Sequence, residues 1–255
     1  MTKTLGLIGS GMIGSNLARM AVAAEIDVVV SNSRGPETLA ELVAELGPRA
    51  RAGLPVDAAE AGNIVVVTVP LSAYQALPAD ALAGKTVIDT NNYYPQRDGR
   101  YSVLDDQRLT SSELVQQHLS KSRVVKAFNN ISFFCLPMLS RPAGAGDRSA
   151  LPIAGDDADA KSAATQLIDL LGYDSVDIGT LSESWRSEPE TPVYVKPYVA
   201  SDFPDGTDPE ELQRYLASPP VQSASSDRIR HLIDNTERVA AGGHWSGDTA
   251  DLNAS

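Results

Sequence analysis

One cysteine, Cys135, is all that the 255 residues contain. A lone cysteine makes no intrachain disulfide and completes no Cys-x-x-Cys metal or redox motif, which fits a reducing compartment. Cations are scarce: 21 Lys and Arg stand against 33 Asp and Glu, a formal net charge of −12. Nucleic acid and anionic membrane surfaces call for clustered Lys and Arg, so neither is an expected partner. No apolar run approaches the roughly 18 residues of a membrane span. The stretch TLGLIGSGMIG near the start is broken by glycines and lacks the basic region and cleavage site of a secretory signal. A cytoplasmic location is therefore expected. The three histidines, His118, His231 and His244, form no metal-ligand spacing, and no metal is expected. Tyr-x-x-x-Lys and Gly-x-Ser-x-Gly are missing too; Tyr194 and Lys196 are too close for the first.

What the chain does contain is a regular alternation of short apolar runs and helical patterns, the mark of βαβ units on a parallel sheet. Strands are expected at 4–8, 26–31, 63–69, 86–90 and 124–127, with helices at 12–24, 36–46 and 111–120 between them. The run at 63–69 is almost purely β-branched, as suits a strand buried on both faces. A second, shorter block has strands at 151–154 and 175–178 around a helix that ends near Leu171. Seven of the 16 prolines lie beyond Leu181, where only a helix at 227–241 is expected. The resulting division is 1–150, a dinucleotide-binding domain; 151–181, a small α/β block; and 182–255, an irregular, Pro-rich acidic extension. Two long loops, 91–109 and 132–150, leave the carboxyl end of the sheet, where open α/β sheets bind ligands.

Gly9-Ser10-Gly11-Met12-Ile13-Gly14 is a G-x-G-x-x-G between a strand and a helix. In that context it is a dinucleotide fingerprint, and the fold class is α/β, a Rossmann-type doubly wound parallel sheet. Gly9 permits the turn, Gly11 lets backbone approach a pyrophosphate, and Gly14 lets helix and strand pack closely. The residue that reads the adenosine ribose lies about 20 positions further on. An acid there marks NAD. This chain has Asn32, Ser33 and Arg34 instead, and a hydroxyl beside a guanidinium suits the 2′-phosphate of NADP(H). Val69 and Pro70, ending the fourth strand, are placed beside the nicotinamide half by topology. Ala127 ends the last strand of the block, and Asn129 and Asn130 lie just past it, within reach of a carboxamide.

No obvious acid or base accompanies these binding residues. Hydride exchange between two organic cofactors needs chiefly their rings held face to face, so positioning dominates. Reduction of a carbonyl, imine or quinone needs a proton donor as well. Tyr93, Tyr94 and Lys126 are the candidates for that role; Asn129, Lys126 and Tyr94 are the candidate catalytic residues overall. A third reading is a non-enzymatic NADP(H) sensor whose Pro-rich extension docks a partner.

With GSGMIG, SNSRG, TVP, VVKAFNNI, LPIAGDD and DIGTL in that order, the chain resembles the deazaflavin (coenzyme F-420) dependent NADP oxidoreductases over most of residues 4–181. The resemblance implies hydride exchange between NADPH and a deazaflavin. It places the nicotinamide near Val69, Pro70, Ala127 and Asn129, the 2′-phosphate on Ser33 and Arg34, the block from Leu151 to Leu181 over the site, and the chain in a homodimer. Arg97, Arg100, Arg141 and Arg148, in the two long loops, are either a cationic rim for the polyanionic deazaflavin tail or ordinary solvated side chains. WRSEPETPVY, 185–194, is expected against the carboxyl edge, with Trp185 either a core plug or a stacking platform.

Overall fold

In the computed structural model the described residues are 4–200 and 220–243. Eight strands form one sheet in the order β3-β2-β1-β4-β5-β6-β7-β8. They are β1 Thr4–Ile8, β2 Asp27–Ser31, β3 Ala50–Ala52, β4 Ile64–Val67, β5 Thr86–Asp89, β6 Arg123–Lys126, β7 Ala150–Gly155 and β8 Asp174–Asp177. The first six run parallel, β7 pairs antiparallel with β6, and β8 runs parallel to β7. The fold is the expected Rossmann-type doubly wound sheet.

The alternation of side chains along β4 explains the two layers. Ile64 and Val66 face one core with Leu5, Leu7, Val28, Val30 and Val125. Val65 and Val67 face the other with Ile8, Val29, Val87 and Val124. All four β4 residues are buried, so the strand carries no polar face. Each such side chain taken from water contributes about 1.5–3 kcal/mol, which makes this strand the spine of the fold.

Helices α1 Met12–Ala23, α2 Ala40–Leu46, α3 Pro55–Ala61 and the single turn α4 Ala79–Leu82 connect the first five strands. The loop 91–109 is less irregular than expected, because it contains two further turns, α5 Pro95–Asp98 and α6 Ser102–Asp105. Helix α7 Ser111–His118 begins with a reciprocal cap: the Glu113 N–H donates to Thr110 Oγ1 at 3.2 Å and the Thr110 N–H to Glu113 Oε2 at 2.7 Å. Helix α8 Cys135–Met138 is one turn, and α9 Ala158–Leu170 starts on Asp157, whose Oδ1 accepts from the Ala160 N–H at 2.8 Å. Helix α10 is Ser226–Asp234, shorter than the expected 227–241; the Asn235 amide donates to the His231 carbonyl at 2.7 Å, capping the chain there.

Residues 150–177 add two strands and α9 to the sheet itself. The cover over its carboxyl edge comes from 181–199: a 3-10 turn Leu181–Ser187, an irregular stretch, and a second turn Lys196–Tyr198. Tyr198, wholly buried, donates from its hydroxyl to the Ala150 carbonyl at 2.8 Å.

Candidate functional site

The glycine turn joins β1 to α1 and is fixed from behind. Gly9 has φ +113° and donates its N–H to the Ser31 carbonyl at 3.0 Å. A Cβ on Gly14 would stand 2.1 Å from the Gly9 carbonyl, so α1 packs against the turn as closely as backbone allows. Thr68, just past β4, donates from Oγ1 to the Gly9 carbonyl at 2.8 Å. The front is different: a Cβ on Gly11 would meet nothing within 4 Å. Gly11 offers no side-chain cap and the first turn of α1 holds no acid, so the amides at Met12 and Ile13 face that open side with the positive end of the helix dipole. This cradle fits a pyrophosphate.

Beyond β2, Asn32 organises the adenosine corner. Its Oδ1 accepts from the N–H groups of Arg34 at 2.9 Å and Gly35 at 3.0 Å. Its Nδ2 donates to Thr38 Oγ1 at 2.9 Å and to Ser10 Oγ at 3.3 Å, tying this corner to the glycine turn. The Ser33 and Arg34 side chains are exposed. The arrangement leaves a hydroxyl and a guanidinium available at the rim, and it fits an anionic group on the adenosine ribose.

On the other half of the edge, Val69 is half-buried, Pro70 exposed and Ala127 fully buried. Asn129 does not keep a free amide. Its Nδ2 donates to the Ser187 carbonyl at 2.7 Å and to Asn92 Oδ1 at 3.2 Å, while Asn92 Nδ2 donates to the Asn129 carbonyl at 2.8 Å. The side chain binds the ends of β5 and β6 to the covering segment. Lys126 points inward, 1% exposed: Nζ donates to the Asn91 carbonyl and to Ser111 Oγ at 2.9 Å, and it lies 3.5 Å from Asp89 Oδ2. A lysine so enclosed is a structural counter-charge. Tyr93 is likewise internal, its hydroxyl donating to Asp105 at 2.9 Å.

Tyr94 is buried too, at 7% exposed, and its hydroxyl is hydrogen-bonded to that of Tyr194. Burial pushes the Tyr94 phenol above its ordinary range, while the Tyr194 hydrogen bond and the Arg97 charge act the other way. Tyr194 rises further, through burial and its neighbour Tyr94.

The covering segment is fastened by Glu188, whose Oε1 accepts from the Ser111 N–H at 3.0 Å and the Ser111 hydroxyl at 2.6 Å. Trp185 is neither a full core plug nor a free platform. It is half-buried, with the guanidinium carbons of Arg186 and Arg238 at 4.4 and 5.6 Å from its ring. The four loop arginines are not a free rim. Arg100 pairs with Asp105 and Arg141 with Asp147, Arg97 binds Asp98, and Arg148, 7% exposed, bridges Asp169 and Asp174. Among the described residues no group of histidine, cysteine and acid side chains is placed to hold a metal, and no helix is long and apolar enough to cross a membrane. His244 lies outside the described residues.

Sequence reasoning missed Thr68, Ser111, Glu188 and Tyr194. Only Thr68 left a local trace, as a hydroxyl ending an otherwise apolar strand.

Sheet order, glycine turn and cradle together define a Rossmann-type dinucleotide-binding site. Residues 4–93 match the family described as NADP oxidoreductase, coenzyme F420-dependent. Rat metalloreductase STEAP3 is 31% identical over 186 residues, 72% of this chain; the chain spans only 35% of that relative's length. Protein SMa0349 of Sinorhizobium meliloti superposes with a TM-score of 0.67 at 29% identity, covering 79% of this chain and 97% of that one. A candidate F420-dependent NADP reductase of Arthrobacter sp. FB24 gives a TM-score of 0.60 at 24% identity, covering 72% and 87%, and so speaks for the fold.

Proposed function

We propose that the chain transfers a hydride between NADPH and a deazaflavin coenzyme. The observation that carries the NADP(H) half is the exposed Ser33–Arg34 pair, standing after β2 where an acid would mark NAD, beside the uncapped start of α1. The family match supports the deazaflavin as partner. When bound, the nicotinamide supplies a two-electron hydride. The chain's own work is to hold it. Backbone amides at Gly11, Met12 and Ile13 bind the pyrophosphate, Ser33 and Arg34 the 2′-phosphate, and Val69 and Pro70 flank the ring, with Ala127 buried behind them. The 181–199 segment excludes water from the carboxyl edge, which favours hydride transfer over side reactions.

The Tyr94–Tyr194 contact favours a second reading, direct reduction of a small carbonyl, imine or quinone, because such a substrate needs a nearby acid. Rapid mixing of the protein, NADPH and oxidised deazaflavin separates the two. Loss of the deazaflavin's visible band is expected. No loss at high protein concentration rejects the leading reading, and NADPH oxidation by a small-carbonyl panel then installs the second.

A further inference from the structure

We propose that Tyr94 is the acid that supplies the proton accompanying hydride delivery, and that Tyr194 is its positioning residue, carried to the site by the covering segment. The inference rests on the oxidoreductase reading above and adds a proton route to it. It holds for a deazaflavin or a small acceptor, because either gains one hydride and one proton.

The two phenols are 100 positions apart in sequence, and their hydroxyls meet only because the chain returns over the carboxyl edge. Tyr94 is anchored on the rigid part of that edge. Its N–H donates to Asp98 Oδ2 at 3.0 Å, and Asp98 also holds Arg97 at 2.9 Å. The Arg97 guanidinium lies 4.9 Å from the Tyr94 ring centre. Asn92, hydrogen-bonded to the Tyr94 hydroxyl, is locked in turn to Asn129 at the end of β6. Lys126 and Tyr93 differ in pairing with buried or half-buried carboxylates, Asp89 and Asp105, whereas the Tyr94 hydroxyl is hydrogen-bonded to the neutral Tyr194 and Asn92.

The pair is asymmetric. Burial disfavours charge on both; at Tyr94 the Tyr194 hydrogen bond, Arg97 and Asn92 work against burial and Asp98, whereas at Tyr194 both Tyr94 and Glu190 add to burial and Arg97 alone works against them. Tyr94 is thus the phenol that gives up its proton and Tyr194 the one that keeps its own. In the step, a C–H bond forms from the hydride of NADPH at the electrophilic carbon of the acceptor. The displaced electron pair moves to the conjugated heteroatom, which takes the proton as the Tyr94 O–H bond breaks. NADP+ and the reduced acceptor leave, and solvent returns a proton to the Tyr94 oxygen, with Tyr194 donating to it meanwhile.

Tyr94→Phe and Tyr194→Phe test this in the full chain. NADPH binding, followed by its fluorescence, should stay within about twofold of wild type in both. Turnover should fall about 100-fold in Tyr94→Phe, the scale of a lost general acid. In Tyr194→Phe the alkaline limb of the pH–rate profile should move to higher pH, because the phenolate has lost a donor. The ultraviolet phenolate titration, read with no acceptor present, should lose one transition in Tyr94→Phe and show it displaced upward in Tyr194→Phe. Wild-type turnover in Tyr94→Phe, or an unmoved limb and titration in Tyr194→Phe, overturns the proposal alone. A wild-type chain that binds NADPH yet reduces neither deazaflavin nor carbonyl overturns the oxidoreductase reading and this route with it. Should Tyr94→Phe fail to fold, the Tyr194→Phe profile decides.

Discussion

Thr68 and Gly9 are bound through the hydroxyl of one and the carbonyl of the other, at 2.8 Å, while the Thr68 N–H reaches the Ile8 carbonyl at 2.8 Å. The end of β4 thereby sets the angle at which the glycine turn presents α1. Thr68→Val keeps the shape and removes the donor. A loss of about 1 kcal/mol of stability is expected in chemical denaturation, together with weaker NADPH binding by fluorescence titration. Intact binding would show that the turn is held by its glycines alone.

Arg34→Ala and Ser33→Ala separate the two dinucleotides. The guanidinium at this corner is expected to contribute about 2 kcal/mol to NADPH and almost nothing to NADH, since a charge-assisted contact needs the extra phosphate. Calorimetry with both nucleotides reads the difference; equal losses would remove the phosphate from this corner.

Lys126 and Asp89 are 1% and 0% exposed at the side chain, 3.5 Å apart. Lys126→Met strands a buried carboxylate, and about 3–5 kcal/mol of stability should go with it. Adding Asp89→Asn should restore much of that, because neither charge then remains buried. Denaturant unfolding of the two single variants and the double measures the coupling.

Glu188 holds the covering segment to the N-terminus of α7 through both polar groups of Ser111. Glu188→Ala should loosen residues 181–199 before the sheet does. Limited proteolysis should cut first in this stretch, and hydrogen exchange should quicken there while β4 stays protected.

The strands and the glycine turn were legible because each has a local cause: four β-branched residues in β4, glycines at three fixed positions, a hydroxyl and cation where an acid would stand. What eluded the sequence depends on contacts between distant segments. Tyr194 carries no local sign that its hydroxyl meets Tyr94, since that meeting needs the antiparallel return at β7. Asn129 reads as an available amide until the Ser187 carbonyl, 58 positions on, takes its donor. The arginines were a different case. Arg97, Arg100 and Arg141 each have their aspartate within six residues, so their pairing is local and was legible in the sequence.

Alkaline pH should act through the buried thiol. Burial raises Cys135 from the ordinary 9.0 to about 11. The folded thiol therefore keeps its proton where the unfolded one has lost it. Its contribution to stability is complete below 9.0 and fades as pH climbs toward about 11. The raised phenols of Tyr94 and Tyr194 push the same way at higher pH. Denaturation midpoints measured across this range should decline, and less steeply in Cys135→Ala.

The indole of Trp185, flanked by Arg186 and Arg238, sits on the 181–199 stretch that covers the carboxyl edge. Its light emission is expected to change when those two cations move away. The molecule thus carries an optical gauge of its own, able to register the roof lifting in real time without any attached dye.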